Sequence, residues 1–451
     1  MFTDLTSILA LSLESVKSGG NTLLWFFFVI GIMIFVHELG HFLVAKSLKI
    51  RVETFSLGFG PKLIGFRRGN TDYRIALLPL GGYVKMAGES YEEAAGSPDE
   101  FLSRSKYQRL MVAFAGPAMN IVLALVLMTA YCMIGVHRMK FLNEPAYIGG
   151  MAKGTPAEQG GLQVGDKIVK INGESVGTME SAFIKIAINS KQKQIITVER
   201  QGQLLDKEVI PARETPDEIG IIGIEPFMAI EAIQPNSPAD QAGLRSGDII
   251  VKAEAPQQSG TSYKQVLDII GHHPNVPLNL TVRRGALDIF KTVTPALNNG
   301  VGRIGIVLLV SEKYPFPRAV IESVNLNAEA VYVTFQVLRG LFAGKASIKN
   351  ISGPIGIAQM SGEAARGGKS SLLQFMSMVS LNLGVFNLLP IPILDGGVIF
   401  LIFLEGLRRK DFSIAIKEKI VYVGLIFLVV LMGIVIVNDL SKIPLVNQWF
   451  K

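Results

Sequence analysis

One cysteine in 451 residues, Cys132, removes two kinds of architecture at once. No disulfide can form within the chain and no thiolate metal site can be built, so histidines and acids must hold any metal. Charge is scarce too: Asp, Glu, Lys and Arg make up 18% of the sequence against 49% hydrophobic residues, and the net balance is only +7. No basic run is interleaved with aromatics, which argues against nucleic acid as a partner. The first twenty residues lack the basic start of a secretory leader, since Asp4 and Glu14 precede Lys17. Residues 1–20 are therefore read as a retained, weakly amphipathic lead-in. A chain of this length and apolarity does not fit a string of soluble domains; membrane spans combined with soluble domains are expected.

Long hydrophobic runs are what the sequence has instead. Four stretches offer about the 20 residues that a bilayer requires: 21–48, 107–136, 372–397 and 418–438. The second is opened by Gly116-Pro117, and the third is broken by Asn382, Asn387, Pro390 and Pro392. Lys46, Lys49, Arg51, Lys62, Arg67, Arg68, Arg74 and Lys85 follow the first span, and Arg408, Arg409, Lys410, Lys417 and Lys419 lie between the last two. Such loops stay cytoplasmic, which puts both termini and the long middle region outside. Within 49–106, Phe55–Gly60 and Tyr73–Leu78 read as strands, with turn signals at Arg68-Gly69-Asn70 and Gly81-Gly82. Their apolarity suggests a small sheet dipping into the bilayer beside protein, where alone non-helical backbone is tolerated. A cytoplasmic hairpin of purely structural role is the alternative.

Histidine is scarcer still, with five in the chain, yet two fall in His37-Glu38-Leu39-Gly40-His41 near the end of the first span. On a helix, i and i+4 share a face, so His37 and His41 can grip one metal ion while Glu38 lies beside it as a proton acceptor. That is the zinc peptidase pattern, with Zn2+ lowering the pKa of a bound water toward 7. Packed histidines matching the pattern by chance are the bland reading; an ionisable cluster in hydrocarbon favours function. A catalytic zinc site wants three protein ligands. Asp395, in Leu394-Asp395-Gly396-Gly397 at the end of the broken third run, stands out among acids near the spans. His37 lies roughly 23 Å inward from the start of its span and Asp395 at most about 34 Å inward from the same face, so both reach the cytoplasmic half. Asp395 could alternatively do no more than cap the next helix.

The middle region repeats. Thr155-Pro156-Ala157-Glu158-Gln159-Gly160-Gly161-Leu162 with Gly165-Asp166 recurs as Ser237-Pro238-Ala239-Asp240-Gln241-Ala242-Gly243-Leu244 with Gly247-Asp248, 82 residues on (166 to 248). Ile222-Gly223-Ile224 and Ile304-Gly305-Ile306 repeat at the same interval. This period is a domain length, and the pattern resembles bacterial PDZ domains, so two tandem copies are expected at 142–225 and 226–310. Such folds add a peptide strand at a sheet edge and catch its terminal carboxylate. Whether these copies bind peptide tails or act as a bulky screen stays open. Beyond them, within 314–345, Val324, Ala328, Val331, Phe335, Leu338 and Phe342 form a one-sided stripe. It is too polar around the rest of the helix to span, so the helix would lie on the outer membrane face or else cap a soluble domain.

His37–His41, Gly58–Gly60, Leu78–Met86, Ala115–Asn120, the repeat, Ser352–Ile357 and Asn382–Gly397 together resemble the site-2 protease family across nearly the whole chain; only the lead-in before Asn21 departs from it. The resemblance implies an α-helical membrane protein with four transmembrane helices, a membrane-associated β-hairpin or sheet and two PDZ domains, in a bacterial inner membrane with the PDZ domains periplasmic. It implies zinc on His37, His41 and Asp395, with Glu38 as general base. Asn387 would contact substrate or oxyanion, Asn382 would line the substrate site, and Gly58, Phe59 and Gly60 would offer it a strand edge. Implied partners are the lipid bilayer and single-pass membrane substrates trimmed first by another protease, such as anti-sigma factors and signal-peptide remnants. A PDZ scaffold with a dead site and a metal transporter are the rivals; the complete ligand set opposes the first. The second should show related halves, and here the polar residues gather at one depth.

Overall fold

The computed structural model describes residues 2–90, 93–139, 142, 144–151, 153–188, 192–213, 220–285, 287–298, 300–343 and 352–441. The chain forms two compact units: Met1–Ile134 with Tyr314–Thr334 and Ile351–Lys451, and Gly135–Lys313 with Phe335–Asn350.

No proline precedes Pro61, and the chain starts with one uninterrupted helix, α1 (Phe2–Ser47). The lead-in is therefore helical and continuous with the first span. Phe26, Val29, Met33, His37, Gly40, His41 and Ala45 form its buried stripe at spacings of three and four, whereas Leu23, Leu24, Phe28 and Leu43 stay exposed. An outward face of large apolar side chains suits lipid rather than water.

Two long strands follow, β1 (Val52–Arg68) and β2 (Thr71–Met86), joined by the expected turn at Gly69-Asn70. Both double back. Phe55 partners Tyr73 on one side and Val84 on the other, and Tyr73 also partners Phe66. The result is a ribbon of four strand segments in which Gly82–Met86 is an outer strand. β1 reverses at Gly58–Gly60, where φ reaches +97° and +89°. A side chain at Gly58 would also press on the Leu78 carbonyl, 2.8 Å from where its Cβ would stand, so only glycine fits that corner. β2 reverses within Leu77–Gly81, just ahead of the expected Gly81-Gly82. Leu63, Ile64 and Phe66 on the far hairpin are exposed, an apolar surface that water does not favour.

Helix α2 (Lys106–Ile134) contains Pro117. Gly116-Pro117 was expected to open the span; instead it lies three turns in, where the ring forfeits one backbone hydrogen bond. Ala113, Ala115 and Gly116 are buried small residues, and α1 crosses closely there: a Cβ on Gly40 would stand 2.4 Å from the Ala115 carbonyl oxygen.

In the second unit, β3 (Lys167–Ile171), α3 (Met179–Ile188), β4 (Gln194–Arg200) and β5 (Gln203–Val209) recur as β6 (Ile249–Ala255), α4 (Tyr263–His272), β7 (Leu278–Arg284) and β8 (Leu287–Val293). The strands pair antiparallel in the same order, β3-β4-β5 and β6-β7-β8. Each copy has its own core, one around Ile168, Ile196 and Met179, the other around Ile250, Leu280 and Ile269. The repeated aspartates explain the repeated Gly-Asp. Asp166 accepts two hydrogen bonds from Arg200 (2.6 and 2.7 Å), and Asp248 two from Arg284 (2.7 and 2.8 Å). Burial pushes the Asp248 carboxyl up, but Arg284 and the Arg245 N–H outweigh it and hold the group below its ordinary value.

Helix α5 (Phe316–Phe342) docks by a small and polar stripe, Ala319, Ser323 and Asn327, with Thr129 on α2 donating to Ser323 Oγ at 3.0 Å. Val324 and Phe335 of the expected apolar stripe remain exposed. Next come α6 (Pro354–Arg366), α7 (Lys369–Asn387), α8 (Asp395–Arg408) and α9 (Ile414–Ser441). The start of α6 is pinned by Asp439, which accepts from the Gly353, Ile355 and Gly356 N–H groups at 3.0 Å each. Ser377 and Ser380 of α7 donate to the α2 carbonyls of Ala124 and Asn120, both at 2.8 Å, bonds worth about 0.5–1.5 kcal/mol apiece. Among the described residues, three helices are long and apolar enough to cross a membrane: Gly20–Ser47, Lys106–Ile134 and Ile414–Ser441. The expected span 372–397 is not one helix. It ends at Asn387, and the prolines hold Leu388–Leu394 irregular before α8 begins.

Candidate metal centre

All groups of the centre belong to the first unit. The buried stripe of α1 presents His37 and His41 one turn apart, and the break between α7 and α8 brings Asp395 to them. Asp395 Oδ2 lies 3.1 Å from His37 Nε2, and Oδ1 lies 3.4 Å from His41 Nε2. The two Nε2 atoms are 3.2 Å apart. Asp395 is the first residue of α8, yet Leu394 is the N-cap and no side chain caps that end. The carboxylate faces the imidazoles rather than capping its own helix. Two residues before Asp395, Ile393 has φ +86°, a conformation that costs a β-branched residue about 1–3 kcal/mol and that the surrounding fold must impose.

These residues fit a metal ion. His41 Nδ1–H donates to the Val112 carbonyl at 2.8 Å, which leaves a lone pair on its Nε2. His37 Nδ1 lies 3.1 Å from the Asn120 amide nitrogen, and Asn120 Oδ1 is buried without a partner. Turning that amide end for end lets Oδ1 accept from His37 Nδ1–H, satisfies the orphan and leaves the His37 Nε2 lone pair inward as well. Two lone pairs and a carboxylate converging on one point repel unless a cation lies among them. Three donor groups within 4.8 Å of one another suit a tetrahedral ion with one position open.

The donors form one wall of a cavity of about 570 Å³ that also takes in Glu38, Tyr83, Glu89, Asn387 and Ile393. Glu38 is half-buried and meets the outer strand: a Cβ on Gly82 would come within 3.0 Å of Glu38 Cγ. Asn387 closes α7 and has no side-chain partner among the described residues. Burial raises the Glu89 carboxyl, with the Met86 N–H at 3.1 Å working the other way. The cavity thus unites His37, Glu38, His41, Asn387 and Asp395. It does not take in Asn382, whose Oδ1 accepts from Thr334 of α5 at 3.1 Å. Nor does it take in Gly58, Phe59 and Gly60, which form the far corner of the ribbon; Phe59 reaches the cavity only by stacking on Tyr83, 6.1 Å between centroids.

Three supporting residues were given no role by sequence reasoning: Val112, and Gly116 and Asn120 of the Ala115–Asn120 motif. The i, i+4 relation of Gly116 and Asn120 to each other was there to be read, but nothing in the sequence says which face of α2 meets the histidines. Gly116 is the most constrained. A Cβ there would stand 2.3 Å from His41 Nε2 and 2.8 Å from His37 Nε2, so Gly116→Ala should displace both imidazoles. We expect at least ten-fold weaker zinc binding by competition against a chelator; unchanged affinity would mean that the helices part without disturbing the ligands.

A membrane protein in which a helix-borne histidine pair, a distant aspartate and an adjacent free carboxylate share a cavity has the makings of a metallopeptidase centre. The comparisons agree: the profile of peptidase family M50 matches residues 25–431, and the chain belongs to that family. Among its relatives, the regulator of sigma-E protease RseP of Salmonella typhimurium is 31% identical over 459 residues, covering 94% of this chain and 100% of that one. Protease RseP of Yersinia pestis is 32% identical over 461 residues, with 94% and 100% covered. A Neisseria meningitidis protein named as a zinc metalloprotease is 29% identical over 450 residues, with 94% and 99% covered.

Proposed function

We propose that this peptidase is a zinc enzyme of the site-2 type that hydrolyses a peptide bond within the membrane in single-span proteins. The observation that carries the reading is the convergence of His37, His41 and Asp395 beside Glu38 in one cavity walled by membrane helices. Zinc held by the three ligands would supply Lewis acidity toward a water and a carbonyl oxygen. Glu38 takes the proton of the attacking water and passes it to the leaving amine. The Asn387 amide, without a partner of its own, donates to the oxyanion as charge develops.

A spanning substrate hides its amides in its own helix and must unwind before attack, so its freed backbone groups need new partners. Strand addition provides them. The outer strand Gly82–Met86, next to Glu38, is better placed for this than the Gly58–Gly60 corner, which instead turns β1 so that Leu57 and Gly82 can pair. Around the centre we read a four-span core, with α7, the break and α8 together counting as the third span. Both termini and the two modules, read as tandem PDZ domains, lie on the extracytoplasmic side of a bacterial inner membrane, with the centre toward the cytoplasm. The modules either hold peptide tails or screen out bulky substrates. By likeness to RseP, the substrates are anti-sigma factors and signal-peptide remnants already trimmed by another protease, and the role is signalling in a sigma-E type response.

The test is incubation of the purified full-length protein with a model single-span substrate, before and after zinc removal by a chelator and after zinc is restored. Cleavage that disappears and returns with zinc is expected. Cleavage indifferent to the chelator would reject the metal mechanism.

A further inference from the structure

The end of the cavity beyond the metal centre, beside the start of α2, contains charges that the mechanism leaves idle. Arg109, Glu405 and Lys417 all line it. Glu405 and Lys417 neutralise each other, 2.7 Å apart, with side chains 1% and 8% exposed. Phe412 N–H also donates to the same Glu405 oxygen, and Lys106 donates to the Glu405 backbone carbonyl. Arg109 is different. It is 7% exposed, its Nε has no hydrogen-bond partner, and no ion pair engages its guanidinium among the described residues. Asp411, which feels its charge, is held by Lys106 at 2.7 Å. Glu89, across the cavity, is turned to Met86 N–H and feels His41, Lys85 and Glu93 instead.

An unpaired guanidinium buried among membrane helices is costly, and it is kept where its counter-charge arrives from elsewhere. Its geometry says from where. Arg109 and Gly116 are seven residues apart, two turns along one face of α2, and Gly116 touches both imidazoles. The separation along the helix is about 10.5 Å, which an extended peptide covers in about three residues. We propose that Arg109 is a specificity residue that pairs with an acidic side chain of the substrate about three residues from the scissile bond, on the side that extends toward Lys106. A guanidinium suits a carboxylate because it offers two parallel N–H donors. Glu405 Oε2, buried and without a partner among the described residues, belongs to a residue lining the same cavity and is an acceptor for a substrate N–H. This subsite rests on the intramembrane peptidase reading above.

The full-length zinc-loaded protein in neutral detergent is given single-span substrates in which Glu, Gln or Lys replaces each residue in turn on both sides of the cut. At one position about three residues from the cut, the wild type should prefer Glu over Gln by about ten-fold or more in kcat/KM. The same Glu-to-Gln ratio should fall to near one in Arg109→Gln, and Arg109→Glu should prefer Lys there. The readout is a ratio within each enzyme, which a general loss of stability does not shift. A wild type that cleaves the series but shows no Glu preference at any position overturns the subsite whether or not the variants fold. It would mean that Arg109 and Glu405 Oε2 satisfy each other instead. A preference that survives in Arg109→Gln, or a rate that follows added anionic lipid and not the substrate carboxylate, overturns it as well. A wild type that cleaves no member of the series removes both this inference and the peptidase reading beneath it.

Discussion

Asp395→Ala should lose its zinc. The substitution leaves two imidazole donors whose Nε2 atoms are 3.2 Å apart, and a catalytic zinc site needs three protein ligands to hold the ion while keeping one position open. Removing a hydrogen-bond partner of a zinc ligand typically costs 10–100-fold in affinity, so removal of the ligand itself should cost more than about 100-fold, and cleavage should go with it. The fold should survive. Asp395 caps nothing, and losing an acid from the first turn of a helix costs about 0.3–1 kcal/mol. Zinc per chain after dialysis, with thermal unfolding as the companion measurement, decides the matter. Full zinc in a folded Asp395→Ala protein would move the third ligand elsewhere, with Glu38, in the same cavity, a carboxylate able to take its place. Asp395→Asn separates charge from shape: its amide oxygen occupies the same space but is neutral, so retained zinc there would show that position matters more than charge.

Local pattern carried much of this architecture. The i, i+4 histidines, the apolar run around them, the 82-residue repeat and the turn at Gly69-Asn70 are short-range signals, and each corresponds to an element at the expected place. Asp395 was singled out for a different reason, as an acid beside two glycines after a proline-broken apolar run, and the fold brings it to the two histidines. What pattern could not convey is which surfaces meet. The stripe on α5 is plain in the sequence, but the helix docks by Ser323 and Asn327, small polar residues that periodicity assigns to water. The family resemblance implied a substrate-facing strand edge at Gly58–Gly60; in the doubled register of β1 and β2, with Phe55 pairing on both sides, these residues form a corner and Gly82–Met86 an outer strand. Gly116 and Asn120 meet the two histidines only because α2 crosses α1 at Gly40, a contact set by tertiary packing. Arg109 was hidden for the same reason. A basic residue at the start of an apolar helix ordinarily marks the membrane boundary, and only its burial in the cavity without a partner distinguishes it.

Glu38→Gln should keep the metal and lose the chemistry. Glu38 follows His37 directly, so on α1 it is turned about 100° from the ligand face, toward the cavity and the outer strand at Gly82. From there it can reach a water beside the metal without itself occupying a ligand position. Glutamine has the same length and volume and can still accept through its oxygen, but it cannot take a proton. General-base catalysis is worth about 10²–10⁴-fold, and this group would act twice, on the water and then on the amine, so the loss should fall toward the upper end. Zinc content, substrate affinity and unfolding temperature should stay close to wild type, which separates this variant from Asp395→Ala, where metal and activity vanish together. Glu38→Asp adds a finer test. It keeps the proton acceptor but withdraws it by one methylene, so its rate should lie between the wild type and Glu38→Gln. Single-turnover cleavage of a single-span substrate at saturating enzyme measures the chemical step directly. A Glu38→Gln enzyme that retains zinc and cleaves within about ten-fold of the wild-type rate would assign the proton to another group, and Glu89, another carboxylate lining the cavity, would be the residue to change next.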